Sequence, residues 1–296
     1  MPAVIQTATT GNLSTAMRVA IRQSRTTEEH NAPMPALVEE FTLRKGEKQL
    51  TVPKVGQMTA QSLVDGQDLV DSEDIGMTSV DLTTAEVGLK VILTDKLMRQ
   101  SNDDVMKMTG RQMGEAMSRK KNRDLIALFA ALNGGTTRGV AATVITAALM
   151  HNNISFMRGK TPPVSGPLSC VLHPHTVAAL NKSLTTIGSN STFASALSDG
   201  YSVERLKDFY KGIVMDRTSF FETGDIDIDA SGDAIGALFA KDAMCICKSQ
   251  AYRTEKERDA SLRAWEVVVT EDYGVFELDD TRGVSLTYDA DTPGST

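Results

Sequence analysis

Apolar residues recur at helical spacing over a long stretch in the first half of the chain. Between Thr94 and Leu132 they lie mostly three to five positions apart, at Val105, Met108, Met113, Met117, Leu125, Phe129 and Leu132. This spacing places them on one face of an α-helix. The pattern therefore predicts one long helix, with a joint near Ser101, that carries an apolar stripe.

The predicted helix has start and stop signals. Thr94 or Ser101 can cap its beginning, and Ser101 together with Asp104 has the form of a capping box. The residues Asn133-Gly134-Gly135 follow its last apolar turn, and these residue types tolerate the left-handed backbone that ends many helices. At a rise of about 1.5 Å per residue the helix would be about 55–60 Å long, so we expect a spine that serves two separate packing regions.

A long polar excursion lies between two strand patterns that precede the spine helix. The strands are predicted at Lys48–Val55, where Pro53 favours an edge position, and at Ser79–Thr94. From Val55 to Leu89 the chain has no lysine or arginine, and its acids are Asp65, Asp68, Asp71, Glu73, Asp74, Asp81 and Glu86. Because a two-stranded extension is marginally stable alone, we predict that a neighbouring subunit holds it, with the first five of these acids at the contact.

The second half of the chain alternates short helical and strand patterns, which indicates an α+β fold. The predicted helices are Thr143–Met157, a helix that begins near Thr176, and Val203–Lys211. The predicted strands are Leu168–Leu172, Gly212–Met215, Ala237–Cys247, Ala264–Thr270, Val275–Leu278 and Val284–Tyr288, with turns at Tyr273-Gly274 and Arg282-Gly283. The segment Phe220–Gly236 is predicted to be an acidic connection.

Composition limits the class of protein. The chain has 296 residues, of which 41% are hydrophobic, so it can bury one large core or two ordinary ones. Its net charge of −7 argues against nucleic-acid binding by bulk charge. Three cysteines argue against a disulfide framework. With no signal peptide pattern and no apolar run of bilayer length, we expect a soluble protein made in the cytoplasm, with no membrane contact.

The residues with chemical potential form no recognisable catalytic arrangement. The phosphate-binding loop motifs and the G-x-S-x-G motif are absent. Cys245-x-Cys247, with Cys170 and His173-x-His175, supplies soft ligands but lacks the usual spacing of structural zinc sites. Asp225-x-Asp227-x-Asp229 has Ala230 where a calcium loop needs glycine, so a solvated acidic loop is favoured. We predict no catalytic, cofactor-binding or metal site; a hydrolase remains an alternative, and it requires Cys245, Cys247 and His173 to converge.

Basic residues concentrate at two places. Arg18, Arg22 and Arg25 lie in an N-terminal segment, residues 1–27, that has no acid. Arg119, Lys120, Lys121 and Arg123 make the middle of the spine helix net positive. These residues either form a solvated helix face and a frayed tail or face an acidic partner or nucleic-acid phosphates. Together with the acid-only excursion, this segregation of charge is typical of a protein that assembles with copies of itself.

The order of these parts resembles that of major capsid proteins of tailed bacteriophages of the Hong Kong 97 type. The resemblance is carried by the strand VPK at 52–54, the loop VDGQDLVD at 64–71 and the segment GLKVILTD at 88–95, which leads into the helix. Two later segments are also similar, SCVLHPHTVAALNK at 169–182 and WEVVVTEDYGVFELDDTRGVSLT at 265–287. The family fold combines an N-terminal arm, an extended β-hairpin loop, a peripheral domain with a spine helix and β-sheet, and an inserted axial domain.

The resemblance implies a division of the chain and a role without catalysis. The arm would be residues 1–46 and the extended loop 47–93. The peripheral domain would combine 94–142 with 248–296, around an axial domain at 143–247. Copies would form the hexamers and pentamers of an icosahedral phage head that encloses double-stranded DNA. The partners implied are a separate scaffolding protein, a portal and a decoration protein, and the mature location is the virion after assembly in the host cytoplasm. A compartment shell of the encapsulin type, which encloses a cargo protein, is the alternative.

Overall fold

The computed structural model describes residues 32–58, 60, 62, 65, 76–100, 105–164, 166–186, 214–215 and 217–291. Five α-helices form within these residues: α1 Met34–Leu37, α2 Asp95–Gln100, α3 Val105–Ile126, α4 Ala147–Arg158 and α5 Pro174–Thr186. The predicted helix Val203–Lys211 lies outside the described residues.

Strands in the first half of the described chain are β1 Glu39–Thr42, β2 Leu50–Val55, β3 Met77–Leu82 and β4 Ala85–Thr94. Those in the second half are β5 Leu168–Leu172, β6 Val214–Met215, β7 Thr218–Glu222, β8 Asp233–Ala240, β9 Met244–Asp259, β10 Ala264–Glu277 and β11 Gly283–Asp289. They form a four-stranded sheet in the order β1-β9-β10-β4, a five-stranded sheet in the order β11-β8-β5-β7-β6, and the separate hairpin β2-β3.

The predicted spine is the succession of α2, α3 and a 3-10 turn at Ala127–Ala130. The Thr94 hydroxyl accepts a hydrogen bond from the Leu97 backbone N–H at 3.3 Å, so Thr94 caps the beginning of α2 as predicted. The predicted joint near Ser101 falls at 101–104, outside the described residues. The C-terminal part of the apolar stripe is confirmed, because these side chains are all buried: Met113, Met117, Leu125, Phe129 and Leu132. Asn133, Gly134 and Gly135 adopt positive φ, as their position after the helix predicts.

The pattern at Ser79–Thr94 is two strands rather than one. The strand β3 pairs with β2 in the hairpin, whereas β4 pairs with β10 in the four-stranded sheet. The chain changes sheets at Thr83 and Thr84, directly after the fully buried Leu82. Residue alternation continues across this step, so the sequence does not reveal that the pairing partner changes.

The predicted turn at Tyr273-Gly274 is also wrong, since β10 runs through it. Tyr273 pairs with Lys248 and Gly274 with Cys247 on β9, and the register shifts on both sides of Asp272. These register shifts are β-bulges. They interrupt the alternation of apolar residues along β10, and in the sequence this interruption resembles a turn. A Cβ atom at Gly274 would lie 2.1 Å from the Thr83 carbonyl oxygen, so glycine is needed where the two segments cross.

Two further boundaries differ from prediction. The segment Phe220–Gly236 contains the end of β7 and the start of β8, so the connection is confined to residues 223–232. The predicted strand Ala237–Cys247 is interrupted by a 3-10 turn at Lys241–Ala243, which leads from β8 in the five-stranded sheet to β9 in the four-stranded sheet. The polar half of β9 was not predicted, because residues 249–258 are exposed and their sequence has no apolar alternation.

The hydrophobic core lies in two main clusters. The first packs α4 and α5 against the five-stranded sheet, with Met150, Ile154 and Leu238 fully or nearly fully buried. The second includes Phe129 from the end of the spine and side chains from β8, β9 and β10. Because β8 belongs to one sheet and β9 and β10 to the other, this second cluster holds the two sheets and the spine together.

Candidate assembly surfaces

The hairpin β2-β3 is a two-stranded sheet of its own, separate from the two larger sheets. Its strands pair from Leu50 with Leu82 to Val55 with Met77, and within the described residues they pair with each other alone. The Gly56 N–H donates to the Gly76 carbonyl at 3.0 Å and continues the ladder toward the excursion. Val55, Met58 and Met77 are more than half exposed there, at 55%, 54% and 64%. Apolar side chains clustered at the end of such a hairpin indicate a surface that another molecule covers.

The hairpin is held against the body by packing at its base and by one ion pair near its far end. Leu82 packs in a cluster with Leu43, Cys245 and Cys247, all of them buried. The Lys54 ammonium lies 2.6 Å from the Asp279 carboxylate in the segment that follows β10. Position 54 is 42% exposed, so we regard the ion pair as an orienting contact more than a large source of stability.

The acidic contact residues predicted from the sequence are mostly not described. Asp65 lies in an exposed turn. Asp68, Asp71, Glu73 and Asp74 lie outside the described residues, as do Arg18, Arg22 and Arg25 of the N-terminal segment. The assignments of all of these residues to subunit or DNA contacts therefore remain predictions.

The basic cluster of the spine helix is largely neutralised within the chain. Lys120 pairs with Asp124 one turn later, and Arg123 pairs with Asp227. The Lys121 ammonium lies 2.9 Å from the Glu271 carboxylate on β10, with side-chain exposures of only 19% and 3%. Arg119 is exposed. By sequence alone this face of the helix is net positive, but three of its cations pair with carboxylates of the same chain. Two of these carboxylates, Asp227 and Glu271, lie outside the helix.

The buried Lys121–Glu271 pair should contribute more to stability than the exposed Lys120–Asp124 pair beside it. We expect Lys121→Ala to lower the free energy of unfolding by about 3 kcal/mol, because it leaves a buried carboxylate without its counter-charge. The Glu271 Oε2 atom already has no hydrogen-bond partner among the described residues. Lys120→Ala, which removes an exposed ion pair, should change the free energy of unfolding by less than about 1 kcal/mol. Urea denaturation of unassembled subunits measures both, and equal losses would contradict the prediction.

A group of carboxylates surrounds the turn between β10 and β11. The pKa of Glu277 is raised to about 7 by burial, then by its hydrogen bond with Asp280 and the negative charges of Asp280 and Asp279, and Lys54 opposes this shift. Asp279 also accepts hydrogen bonds from the Thr281 backbone and hydroxyl, and its pKa is lowered by these bonds and by Lys54 against the effect of burial. Lys54 of the hairpin therefore contacts a group of carboxylates in which burial and neighbouring negative charges raise the pKa of Glu277 to about 7.

The raised pKa of Glu277 predicts a pH-dependent stability. The folded state favours protonated Glu277, so this contribution is fully present below about pH 4.5 and is lost as the pH rises through about 7. We expect Glu277→Gln to leave the melting temperature unchanged at pH 4.5 and to raise it at pH 8. Glu255→Gln, at a side chain that is 60% exposed, is the matched control. Identical pH profiles for wild type and Glu277→Gln, from thermal denaturation of unassembled subunits, would refute the assignment.

A buried polar network connects α1, α3 and the segment that follows β7. The Asn122 side chain on α3 is fully buried, accepts from the Met34 backbone N–H at 3.3 Å and donates to the Thr223 hydroxyl at 3.3 Å. The same amide donates to Asp225, which is only 6% exposed. The prediction of a solvated acidic loop is therefore wrong for Asp225. The aspartates at 225, 227 and 229 make different contacts. Asp229, by contrast, accepts from the backbone N–H groups of Ser231 and Asp233 within its own turn.

The cysteines and histidines proposed for alternative chemistry do not form one site. Cys170 lies in the core beneath α4 and α5, whereas Cys245 and Cys247 lie at the base of the hairpin. All three are free and buried, and burial raises the pKa of Cys170 and Cys245 well above the ordinary range. Over the described part of the chain, no three His, Cys, Asp or Glu side chains are grouped so that they could bind a metal ion. None of the helices in this part combines the length and the hydrophobicity that crossing a bilayer requires.

Sequence reasoning missed the residues that connect the surfaces to the body. Lys54 and Asp279 are 225 positions apart, and Asn122 and Asp225 are 103 apart. Single charged or amide residues at such separation give no periodic signal. One signal was available in the sequence: Asn122 lies on the face of the spine helix that carries the apolar stripe. A polar residue on a buried face requires a hydrogen-bond partner, so a contact of Asn122 could have been predicted.

Comparison with known proteins identifies the family. The sequence model of a family described as "Phage capsid protein" matches residues 78–286, which is more than half of the chain. No curated protein sequence matches. The match begins in β3 and ends in β11, so it includes the spine helix and all strands of the two sheets except β1 and the end of β11.

Solved phage capsids share the fold at low sequence identity. The chain is similar to the head protein of Helicobacter pylori bacteriophage KHP40, with a TM-score of 0.72, 11% identity and coverage of 91% of this chain and 94% of that one. The capsid of cyanophage P-SCSP1u matches with a TM-score of 0.67, 14% identity and coverage of 90% of this chain and 91% of that one. A solved structure of Mycobacterium phage Che8 matches with a TM-score of 0.62, 15% identity and coverage of 88% of this chain and 92% of that one. The α+β fold is thus of the Hong Kong 97 type, as expected. Because the family match spans most of the sequence, this chain belongs to the phage capsid protein family and is a structural shell protein of the phage head rather than an enzyme.

Proposed function

We propose that copies of this chain form hexamers and pentamers that close into an icosahedral head around double-stranded DNA. The observation that carries the proposal is the hairpin β2-β3, which pairs only with itself among the described residues and ends in exposed apolar side chains. A monomer gains nothing from exposing Val55, Met58 and Met77, whereas a neighbour that covers them gains burial of apolar surface. Closure of a shell by repeated head-to-tail contacts requires such a reaching element.

The division of the chain into arm, extended loop, peripheral domain and axial domain is part of this proposal. The sheets suggest where the boundaries fall. The strand β4 joins the four-stranded sheet, so we place the end of the extended loop near Leu82 rather than at 93. The strand β9 begins in that sheet at Met244, and β11 belongs to the five-stranded sheet together with β5 and β8. The axial unit would therefore include residues 283–289 in addition to the central segment.

We assign contact with packaged DNA to the arm arginines Arg18, Arg22 and Arg25. Lys120, Lys121 and Arg123 have carboxylate partners in the chain, which reduces the charge that they offer to phosphates. A separate scaffolding protein, a portal and a decoration protein remain proposed partners, and assembly is proposed to take place in the host cytoplasm.

Sedimentation and negative-stain microscopy test this function, with the protein expressed alone and together with its neighbouring genes. We expect rings of five and six subunits or closed shells, with DNA inside shells made in the presence of the packaging genes. Shells that contain a cargo enzyme and no DNA would favour the encapsulin-like alternative. A particle of one chain under every condition would overturn the proposal.

A further inference from the structure

The chain passes three times between the two larger sheets. The first crossing, residues 131–136, leads from the spine to a segment beside β11, where the Arg138 N–H donates to the Ser285 carbonyl at 2.9 Å. The second is the 3-10 turn Lys241–Ala243 between β8 and β9, and the third is the turn at 278–282 between β10 and β11. These three segments are therefore where the orientation of one sheet relative to the other can be set.

The three crossings contact one another. The Gly134 N–H of the first crossing donates to the Asp280 carboxylate of the third at 2.8 Å. Arg282 of the third crossing pairs with Asp242 of the second. The crossings therefore form one connected unit, which we call the junction and define as residues 131–136, 241–243 and 278–282.

Lys160 reaches the junction from the end of α4. Its ammonium donates to the Asn133 side-chain oxygen at 2.8 Å, to the Thr281 carbonyl at 2.8 Å and to the Gly283 carbonyl at 3.3 Å. An ammonium has three N–H donors, and each of them has an acceptor here. Because α4 packs against the five-stranded sheet, Lys160 ties that part of the molecule to the first and third crossings and to the start of β11.

These contacts differ from those of a lysine that only ends a helix. Such a lysine bonds to the last carbonyl groups of its own helix. In α4, the Ser155 and Phe156 carbonyls accept from the Gly159 N–H instead, and the acceptors of Lys160 lie 27, 121 and 123 positions away in the sequence. The Lys160 ammonium also lies 5.2 Å from the centre of the Phe156 ring. The position of Lys160 therefore depends on the tertiary structure more than on the end of its own helix.

The Lys160 ammonium is partly withdrawn from water. Burial lowers its pKa, and the negative charges of Asp280 and Asp279 oppose this shift. Hydrogen bonds from a charged donor are stronger than those from a neutral one, and partial shielding from water strengthens them further. We therefore expect this contact to restrain the junction more than an exposed ion pair would.

The first crossing needs a restraint because its backbone permits several directions. Asn133, Gly134 and Gly135 have φ angles of 61°, 61° and 74°, all in the left-handed region. Glycine adopts left-handed and right-handed φ angles about equally readily, so two successive glycines do not fix the direction of the chain. Hinges between parts of a protein consist of a few such loop residues. Lys160 holds the residue next to this pair of glycines, through the Asn133 side chain.

We propose that Lys160 is a positioning residue that sets the angle between the two sheets and thereby the curvature of the assembled shell. This inference rests on the proposed assembly and adds a residue that controls the diameter of the closed particle. In a shell the same contacts repeat around every subunit, so the number of copies that close it depends on the angles at which subunits meet. A small change of angle within the subunit is repeated in every copy and therefore changes the diameter.

Distances between spin labels test the angle in unassembled subunits. The labels are attached at Ile235→Cys on β8 and Tyr252→Cys on β9, whose native side chains are 40% and 42% exposed, whereas the native cysteines are buried. We expect Lys160→Met to broaden the distance distribution and to shift its mean. Lys241→Met removes an exposed lysine of the junction and, as the matched control, should leave the distribution unchanged. Equal distributions for Lys160→Met and the wild type, or equal changes in both variants, would overturn the proposal.

The diameters of assembled shells test the role in curvature. We expect Lys160→Met to raise the proportion of particles outside the wild-type diameter class about ten-fold, which is the factor that loss of one charged hydrogen bond implies. Lys160→Cys allows a chemical rescue. Its thiolate displaces bromide from bromoethylamine, and the product carries an ammonium at nearly the position of the lysine nitrogen. Displacement of iodide from iodoacetamide gives a neutral amide as the control.

The two modified proteins differ only at the end of one side chain, so their comparison holds even if Lys160→Met lowers the stability of the subunit. We expect the aminoethylated subunits to form shells of wild-type diameter and the neutral product to form shells of mixed diameters. The same diameters for both products would overturn the proposal, as would label distances that broaden without a change of diameter. Failure of the wild type to form any shell would refute the assembly function and the role in curvature, whereas the label distances would still decide the role in the angle.

Discussion

Deleting residues 61–74 is expected to yield folded subunits or single capsomers that no longer form shells. The deletion leaves Gln57–Ala60 and Ile75, five residues, to close the hairpin between Gly56 and Gly76, whose backbones already lie within hydrogen-bond distance. A five-residue loop is an ordinary connection between antiparallel strands. The body of the subunit should therefore fold, because its core clusters contain no residue from the deleted segment.

The expected loss of assembly is large because the contact is repeated around the shell. If each copy of the contact contributes about 3 kcal/mol, its loss weakens each association by about a hundredfold. In the proposed shell every subunit makes the contact, so we expect no closed shells of the deletion variant by sedimentation and negative-stain microscopy.

A second variant separates the reach of the excursion from its side chains. Replacing residues 61–74 with glycine and serine keeps the length of the excursion but removes its acids and apolar groups. We expect this variant also to remain unassembled, because the proposed contact depends on those side chains. Normal shells from the deletion variant would show that the hairpin is not the linking element.

Phe129→Ala is expected to destabilise the subunit more than any surface substitution. Phe129 is 1% exposed, and its ring lies 6.0 Å from that of Phe239, between centroids, at the point where the spine meets both sheets. Removing a buried phenylalanine costs about 3–5 kcal/mol through lost burial and the cavity that remains. Since typical domains are stable by about 5–15 kcal/mol, we expect much of the soluble protein to be lost.

Unassembled subunits are the appropriate sample for this measurement, because assembly would mask the loss. Urea denaturation should show a midpoint well below that of the wild type. The control, Tyr252→Ala, removes an aromatic side chain that is 42% exposed on β9 and should change the free energy of unfolding by less than about 1 kcal/mol. Equal midpoints for Phe129→Ala and the wild type would show that the junction tolerates a cavity and that the two sheets are held together elsewhere.

Elements whose pattern depends on local spacing were predicted well. The strand Leu168–Leu172 appears as predicted. The helices predicted at Thr143–Met157 and from near Thr176 are present, but they begin at Ala147 and Pro174. The buried face of the spine also follows from its sequence, from Met113 to Leu132. In each of these elements, burial follows one periodicity along one face, so the neighbours in sequence contain enough information.

Strand pairing was harder to predict, because it depends on residues far apart in the chain. The break at Thr83 separates two strands of similar alternation, and it exists because β3 pairs with β2 whereas β4 pairs with β10. The bulges beside Asp272 made a continuous strand resemble two strands and a turn. The exposed half of β9 has no apolar pattern, and it is a strand because β10 supplies its hydrogen bonds.

The sequence by itself determined the α+β class, the spine with its buried stripe and the acid-only excursion. Its motifs also established the resemblance to phage capsid proteins, which the family match confirmed. The tertiary structure decided which charges of the basic cluster are neutralised. Lys121 is partnered by Glu271, 150 positions away, and Arg123 by Asp227, 104 positions away. The physical reason is that net charge along a helix is a local property, but its neutralisation depends on which distant side chains the fold brings within a few ångströms.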